Sequence, residues 1–398
     1  MIDLKLPEGF RAAGVRCGIK KPEKKELALV VSDKPCAGAG FYTRNRFAAP
    51  PIEICRRHLA DFSPRAVVIN SGCANACTGD RGFSDALESA RAVAMSVGCR
   101  SEEVLVASTG VIGQFLPMDK IEKGIVDATK QLSKDAPSWN DAAEAIMTTD
   151  TFPKTASLRV EIQGKPVTIL GMAKGSGMIH PDLATMLGFI FSDAAIEPEA
   201  LRMAGESAVT NSFNRVTVDG DTSTNDTVLF LANGMAENRR IEADGTDYDV
   251  FLEALTEVCK TLARMIAKDG EGATRLIEVR VSGAKSNEDA KKTAEAVATS
   301  NLVKTAIFGR DANWGRIVCA VGYSGADFEP DKITVKVGSE LIFSGGAPRI
   351  TSEERLNKIL EKDEVDINID LAAGEASTVM WTCDLTYDYV KINAEYRT

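Results

Sequence analysis

Thr185 stands where a glycine-rich segment of the chain runs into an apolar strand. Glycines recur between positions 171 and 177, and the apolar run 186–191 follows Thr185. Because glycine permits strained backbone conformations, such a segment can fold tightly over a reactive centre. If the peptide bond between Ala184 and Thr185 were cut, Thr185 would carry a hydroxyl and a free α-amine together. That combination is a nucleophile and a base within one residue.

The choice of base depends on what else the chain contains. His58 and His180 are the two histidines, which leaves little material for a Ser-His-Asp or Cys-His arrangement. An α-amine has a pKa of about 7.7 to 8.0, close enough to neutrality to accept a proton. The terminal amine of Thr185 is therefore the best base available. From the residues alone, the competing interpretation is a loop that enters a core strand, with Thr185 present for its β-propensity.

Thr109 and Gly110 are candidates for stabilising negative charge on an oxygen. They follow a predicted strand at 104–108, and a helix is predicted from about 117 to 132. At the carboxyl end of a strand, a hydroxyl and an unencumbered backbone N–H can point at one oxygen. An ordinary strand-to-helix turn explains the same residues.

A second strand, predicted over 66–72, ends in an Asn-rich turn and is followed by a helix. Strand, polar turn and helix in this order form an α/β unit whose loop can reach a site. Cys73 and Cys77 in this turn lack the Cys-x-x-Cys spacing, so we predict no metal site there. The nine dispersed cysteines are typical of reduced thiols.

Two charged residues are suited to binding a zwitterion. Lys174 follows a predicted hairpin of strands 158–162 and 167–170, and Glu271 lies between two glycines after a long helix predicted over 248–267. If both residues contact substrate, their charges suit Lys174 to an α-carboxylate and Glu271 to a side-chain ammonium. The competing interpretation for Glu271 is a solvated turn residue.

The composition is that of an acidic globular protein. The 398 residues carry a net charge of -10, with a pI near 5.1, which argues against nucleic acid or an anionic membrane as a partner. The N-terminus lacks the features of a secretory signal, and no apolar window reaches the length of a membrane span, so we predict a cytoplasmic protein. The length predicts two subdomains, which we place at 1–283 and 284–398.

Several segments together resemble one known family. Lys-Gly-Ser-Gly-Met-Ile-His-Pro, followed by Leu-Ala-Thr-Met-Leu, is similar to the self-cleavage segment of the ornithine acetyltransferases, the glutamate N-acetyltransferase family of arginine biosynthesis. The Asn-rich turn and the Gly-Glu-Gly-Ala-Thr run around Glu271 also resemble that family. The resemblance implies an α/β fold, a layered α/β sandwich of the self-processing ornithine acetyltransferase and DmpA-like type with a smaller C-terminal α/β subdomain.

The resemblance also implies the reaction. It predicts autocatalytic cleavage between Ala184 and Thr185 into chains 1–184 and 185–398, followed by ping-pong acetyl transfer from N2-acetylornithine to glutamate through an ester on Thr185. No cofactor is needed, while acetyl-coenzyme A remains open as a second acetyl donor. The predicted partners are these small molecules and a second cleaved protomer, which would give a heterotetramer of two alpha and two beta chains.

The site residues carried over from the family fall into two groups. Thr185 is the nucleophile, and Thr109 with Gly110 is the oxyanion hole. The residues implied to contact substrate are Thr151, Lys174, Thr185, Glu271, Asn393 and Thr398. The contact at Thr151 has competitors, because Thr148 and Thr149 lie in the same polar run after a helix predicted over 141–147.

Two other functions fit the residues. A self-processed aminopeptidase or amidase of similar fold would pass the acyl group to water instead of glutamate. A metabolite-binding protein without catalytic activity would remain uncut.

Overall fold

The computed structural model describes residues 4–20, 24–180 and 186–395. The chain divides into two compact units. Of the described residues, the first unit contains those up to Asn214 together with Asp221–Leu262, and the second contains Arg215–Gly220 and those from Ala263 to Glu395.

Among the described residues, the first unit contains nine strands and six helices. The strands are β1 (Phe10–Val15), β2 (Leu27–Ser32), β3 (Ala37–Tyr42), β4 (Ala66–Cys73), β5 (Val104–Val111), β6 (Lys154–Ile162), β7 (Lys165–Lys174), β8 (Leu187–Ser192) and β9 (Thr227–Ala232). The helices are α1 (Pro50–Asp61), α2 (Gly79–Val97), α3 (Met118–Gln131), α4 (Ala136–Ala145), α5 (Pro198–Thr210) and α6 (Thr246–Lys268), the last of which continues into the second unit.

These strands form two sheets. One has the order β1-β2-β4-β5, and the other has the order β3-β9-β8-β7-β6. Phe10 on β1 contacts Phe191 on β8, with 5.4 Å between ring centroids, and Trp139 of α4 contacts the same ring. The two sheets therefore share one apolar core.

Two adjacent strand pairs position the candidate catalytic residues. β4 and β5 are parallel, and α2 forms the crossover between them, so their carboxyl ends meet at one edge of the sheet. β7 and β8 are antiparallel, and Lys174 pairs with Leu187. The hairpin of β6 and β7 turns through Gln163 and Gly164, both with positive φ.

The second unit is built on a sheet of six strands. In chain order its elements are β10 (Leu276–Ala284), α7 (Asn287–Ala298), α8 (Asn301–Phe308), α9 (Trp314–Gly322), β11 (Thr334–Val337), β12 (Glu340–Ser344), β13 (Ala347–Pro348), α10 (Glu353–Leu360), β14 (Glu364–Asp370), β15 (Ala376–Cys383) and α11 (Tyr387–Glu395). The strand order is β13-β12-β11-β14-β10-β15. Alternate residues of β14 are buried, because one face of the sheet packs against the core.

The mixed sheets and packed helices are the layered α/β fold that the sequence predicts. Gly283, where we placed the subdomain boundary, lies inside β10, and that strand pairs with β14 and β15 in the second unit. The compact units instead divide within α6. None of the described helices has the length and apolar character needed to cross a membrane.

Candidate active site

Thr109 and Gly110 lie at the carboxyl end of β5, beside the end of β4. Gly110 pairs with Gly72 and has a φ of 131°, a conformation that favours glycine. A Cβ on Gly110 would lie 2.4 Å from the carbonyl carbon of Gly72, so a larger residue does not fit without displacing the backbone. Thr109 is buried. The local structure therefore requires the glycine of the predicted oxyanion pair.

Buried amides hold the two strand ends together. Asn70 Nδ2 donates to the Cys73 carbonyl over 2.8 Å, and the Ser108 hydroxyl donates to Asn70 Oδ1 over 2.6 Å. Asn225 Nδ2 donates to the carbonyl of Ala74 over 2.6 Å and to the carbonyl of Ser108 over 2.8 Å. The predicted oxyanion pair thus lies at a strand end that is fixed from two sides.

Lys174 ends β7 with its side chain almost completely buried. Its Nζ donates to the Thr148 hydroxyl over 2.8 Å and lies 3.9 Å from Asp150 Oδ2. A buried ammonium at the end of a strand is suited to binding the carboxylate of an amino acid. The structure therefore places a buried positive charge at the end of β7.

Asp150 organises the surroundings of Lys174. Its Oδ1 accepts hydrogen bonds from Lys154 Nζ and from the Gly175 amide, each over 2.7 Å. Burial disfavours its charged form, but the ammonium groups of Lys174 and Lys154 outweigh burial and hold the pKa of the carboxyl well below its usual range. Sequence reasoning assigned no role to Asp150 or Lys154, although Asp150 lies within the polar run that we singled out.

The structure separates the competing threonines of this run. Thr148 contacts the Lys174 ammonium, whereas the side chain of Thr151 is exposed. The preceding helix also differs from the prediction, because α4 covers Ala136–Ala145 instead of 141–147. The Asp135 side chain accepts a hydrogen bond from the Ser138 amide and begins that helix earlier.

Lys20 is a further cation near the strand ends. Its Nζ donates to the Met147 carbonyl over 2.6 Å, and a Cβ on Gly72 would lie 3.0 Å from Lys20 Cγ. Burial lowers the pKa of Lys20 to about 8, and the charge of Lys174 acts in the same direction. Nothing in the sequence distinguishes Lys20 from the neighbouring lysines.

The predicted nucleophile and its scissile bond, Thr185 and Ala184, lie outside the described residues, as does Thr398. The description resumes at Met186, whose amide donates to Asp226 Oδ1 over 3.0 Å. Asp226 is completely buried. Sequence reasoning singled out neither Asn225 nor Asp226.

In the second unit, two of the predicted substrate residues contact each other. Asn393 Nδ2 donates to Glu271 Oε2 over 2.7 Å and to the Tyr389 carbonyl over 3.0 Å. Glu271 is buried, so it is not the solvated turn residue of the competing interpretation. Gly272 has positive φ, and a Cβ there would lie 2.6 Å from the Tyr389 amide. This glycine lets α11 approach the turn that carries Glu271.

The described residues contain no cluster of three His, Cys, Asp or Glu side chains that could hold a metal ion. All nine cysteines are free, with Cys73 buried and Cys77 exposed.

Comparison with known proteins identifies the family. The model of the ArgJ family matches residues 11–398. The arginine biosynthesis bifunctional protein ArgJ of Symbiobacterium thermophilum is 53% identical over 394 residues, which cover 98% of each chain. The protein of the same name from Bacillus subtilis is 48% identical over 398 residues, covering 100% of this chain and 97% of its own.

The chain belongs to the ArgJ family. A solved structure of the Bacillus halodurans ArgJ protein is 46% identical, with a TM-score of 0.51, and the match covers 52% of this chain and 98% of that one. Membership of the ArgJ family confirms the resemblance found in the sequence. It also confirms the prediction of an acyltransferase enzyme of arginine biosynthesis.

Proposed function

We propose that this ArgJ-family chain cuts itself before Thr185 and then transfers an acetyl group from N2-acetylornithine to glutamate through an ester on Thr185. One observation carries the proposal. Consecutive residues, Asn225 and Asp226, bind the carbonyl of Ser108 and the amide of Met186. Ser108 precedes Thr109 and Met186 follows Thr185 in the sequence. The neighbours of the oxyanion pair and of the nucleophile are thus held by one short segment.

The first step releases the nucleophile. The Thr185 hydroxyl oxygen attacks the Ala184 carbonyl carbon, and the C–N bond breaks as the nitrogen of Thr185 takes the hydroxyl proton. Water then hydrolyses the resulting ester, which leaves a carboxylate on Ala184 and a free α-amine on Thr185. The glycines at 175 and 177 suit a segment that must bend for this attack.

In turnover, the Thr185 hydroxyl attacks the acetyl carbonyl of N2-acetylornithine while the α-amine takes its proton. The bond to the ornithine nitrogen breaks, and the ammonium returns the proton to that nitrogen. The amine of glutamate then attacks the acetyl ester, gives N-acetylglutamate and regenerates the hydroxyl. Exchange through an acyl-enzyme is ping-pong.

Negative charge develops on the acetyl oxygen in both half-reactions. We assign its stabilisation to the Thr109 hydroxyl and the Gly110 amide, and each such donor lowers the barrier by about 2.7 to 4 kcal/mol. Fixed donors need no reorganisation during the reaction, and the hydrogen bonds of Asn70 and Asn225 support such fixation.

Substrate recognition follows from two opposite charges. Lys174 binds the α-carboxylate, with Thr148 beside it, and Glu271 binds the side-chain ammonium of ornithine. Asn393 orients the Glu271 carboxylate through the hydrogen bond between their side chains. Thr151 and Thr398 remain substrate contacts by family resemblance alone.

The assembly and location follow the same family expectation. We propose that two cleaved protomers associate as a heterotetramer of two alpha and two beta chains in the cytoplasm, and that the reaction needs no cofactor. Acetyl-coenzyme A as sole donor to glutamate is a separate activity, which a glutamate acetylation assay without N2-acetylornithine measures directly.

The test separates transfer from hydrolysis. Purified protein is incubated with N2-acetylornithine with and without glutamate, and ornithine and N-acetylglutamate are quantified. We expect ornithine release to depend on glutamate and to equal N-acetylglutamate formation. Ornithine release at the same rate without glutamate would identify the amidase alternative, in which water accepts the acetyl group.

A further inference from the structure

Asp226 is a buried carboxylate that precedes β9 and lies beside the start of β8. Its side chain is completely buried, and Oδ1 accepts the hydrogen bond from the Met186 amide over 3.0 Å. Three covalent bonds separate that amide nitrogen from the α-nitrogen of Thr185. The steps proposed above give Asp226 no role.

The second oxygen of Asp226 is available for another donor. Among residues 4–20, 24–180 and 186–395, Oδ2 has no hydrogen-bond partner although it is buried. The Thr43 hydroxyl lies nearby but donates to the Ser223 carbonyl over 2.8 Å. An unsatisfied buried oxygen costs free energy, so its persistence calls for an explanation.

The charges around Asp226 are few. Burial raises the pKa of its carboxyl well above the usual value, while the Met186 amide, the Thr43 hydroxyl, the Lys174 ammonium and the Ser223 backbone favour the charged form. Lys174 is the cation that faces it from β7, among the described residues. Burial therefore favours the neutral acid in the uncut chain, and the positive charge of a new terminal ammonium near Oδ2 would favour the carboxylate.

We propose that Asp226 is the positioning residue for the α-amine of Thr185, which donates to Oδ2 once the chain is cut. This inference rests on the proposed cleavage. When the amine takes the hydroxyl proton, the Asp226 carboxylate stabilises the resulting ammonium, and when the ammonium returns the proton to the leaving nitrogen, the amine remains oriented. Asp226 itself neither gains nor loses a proton in these steps. The carboxylate of a Ser-His-Asp triad orients its base in the same way.

The test uses Asp226→Asn, because the amide oxygen can still accept the Met186 hydrogen bond while the charge is lost. Mass spectrometry and thermal unfolding precede kinetics. We expect the variant to be folded and cut before Thr185, because the amine that Asp226 binds does not exist until cleavage is complete. We expect kcat to fall at least about 100-fold, the usual loss when a general base is impaired.

The pH dependence of kcat/KM tests whether the negative charge of Asp226 acts on the amine. Removing an anion lowers the pKa of a neighbouring ammonium, so the acid limb of kcat/KM should move to lower pH by about one unit or more. Asp226→Glu keeps the charge, and its acid limb should stay at the wild-type position even if kcat falls.

Asp193→Asn is the matched control. Asp193 is also a buried carboxylate whose pKa is raised by burial, and it accepts hydrogen bonds from the Thr168 and Glu8 amides, but it follows the opposite end of β8. We expect the acid limb of the kcat/KM profile of Asp193→Asn to stay at the wild-type pH.

Each other result overturns the inference. An unfolded or uncut Asp226→Asn protein would give Asp226 a role in folding or cleavage, before the amine exists. A folded, cut variant with wild-type kcat and profile would show that the charge is dispensable. If wild-type protein itself stays uncut, the proposed function fails first, and the two failures are distinct.

Discussion

Asp150 and Lys154 form an ion pair with neither side chain exposed, and 2.7 Å separates Lys154 Nζ from Asp150 Oδ1. The same carboxylate accepts hydrogen bonds from the Thr148 and Gly175 amides and faces the Lys174 ammonium. One buried anion therefore holds the loop before β6, the end of β7 and two lysines.

Asp150→Asn should be strongly destabilising, because it removes the anion that compensates a buried ammonium. Breaking a buried pair in this way typically costs about 3 to 5 kcal/mol of unfolding free energy. Urea denaturation measures the loss. Glu199→Gln, which removes an exposed partner of Arg202, should leave stability nearly unchanged. Equal effects of the two substitutions would show that the buried pair does not stabilise the fold.

The stabilisation by Asp150 should depend on pH in a defined direction. Its pKa is lowered in the folded protein, against an ordinary value of about 3.9 in the unfolded chain. The contribution of the Asp150 carboxylate to folding stability is therefore present above about pH 4 to 5, and it is lost as the pH falls toward the pKa of Asp150 in the folded protein. The stability gap between wild type and Asp150→Asn should be largest near neutrality and narrow below about pH 4. If the difference in stability between wild type and Asp150→Asn grew as the pH fell, the pKa of Asp150 would not be lowered in the folded protein.

Gly110→Ala should abolish most activity, because its Cβ would collide with the carbonyl carbon of Gly72 and displace the oxyanion pair. Loss of an oxyanion donor lowers kcat by about 100- to 1,000-fold. Gly113→Ala is the control, since Gly113 also has positive φ but a Cβ there meets nothing within 4 Å. Steady-state kinetics of both variants separate the steric effect from the backbone strain that both share. Similar kcat values in the two variants would argue against a role for the Gly72–Gly110 contact.

Glu271→Gln should weaken binding of N2-acetylornithine more than binding of glutamate, because only ornithine carries a side-chain ammonium. A hydrogen bond to a charged group contributes about 1.5 to 3 kcal/mol, so KM for the donor should rise about 10- to 100-fold. Glu361→Gln, at an exposed glutamate of the same unit, should change neither KM. If KM rose equally for both substrates, Glu271 would instead bind a group that N2-acetylornithine and glutamate have in common.

Local patterns predicted the elements that carry the site. The helix predicted from about 117 to 132 is α3, Met118–Gln131, and the predicted strand 66–72 is β4, Ala66–Cys73. Apolar periodicity and turn residues act over short distances, so the sequence contains this information. The start of α4 was missed because it depends on the Asp135 cap rather than on apolar spacing.

The charge network around the site was out of reach of sequence reasoning. Asp226 meets Met186 across 40 positions, and Lys174 meets Thr148 across 26. Such contacts follow from strand register and packing, which a single sequence does not specify. Thr151 was chosen by family resemblance, and the contact between Thr148 and Lys174 appears only in the folded chain.

The most direct test of the account is the mass spectrum of the purified protein beside that of Thr185→Ala. Wild type should give two chains, one ending at Ala184 and one beginning at Thr185, and should transfer acetyl groups. Thr185→Ala should remain a single chain near 42.7 kDa and be inactive. An uncut wild-type chain that transfers acetyl groups at full rate would contradict the central claim, because no α-amine would exist to act as the base.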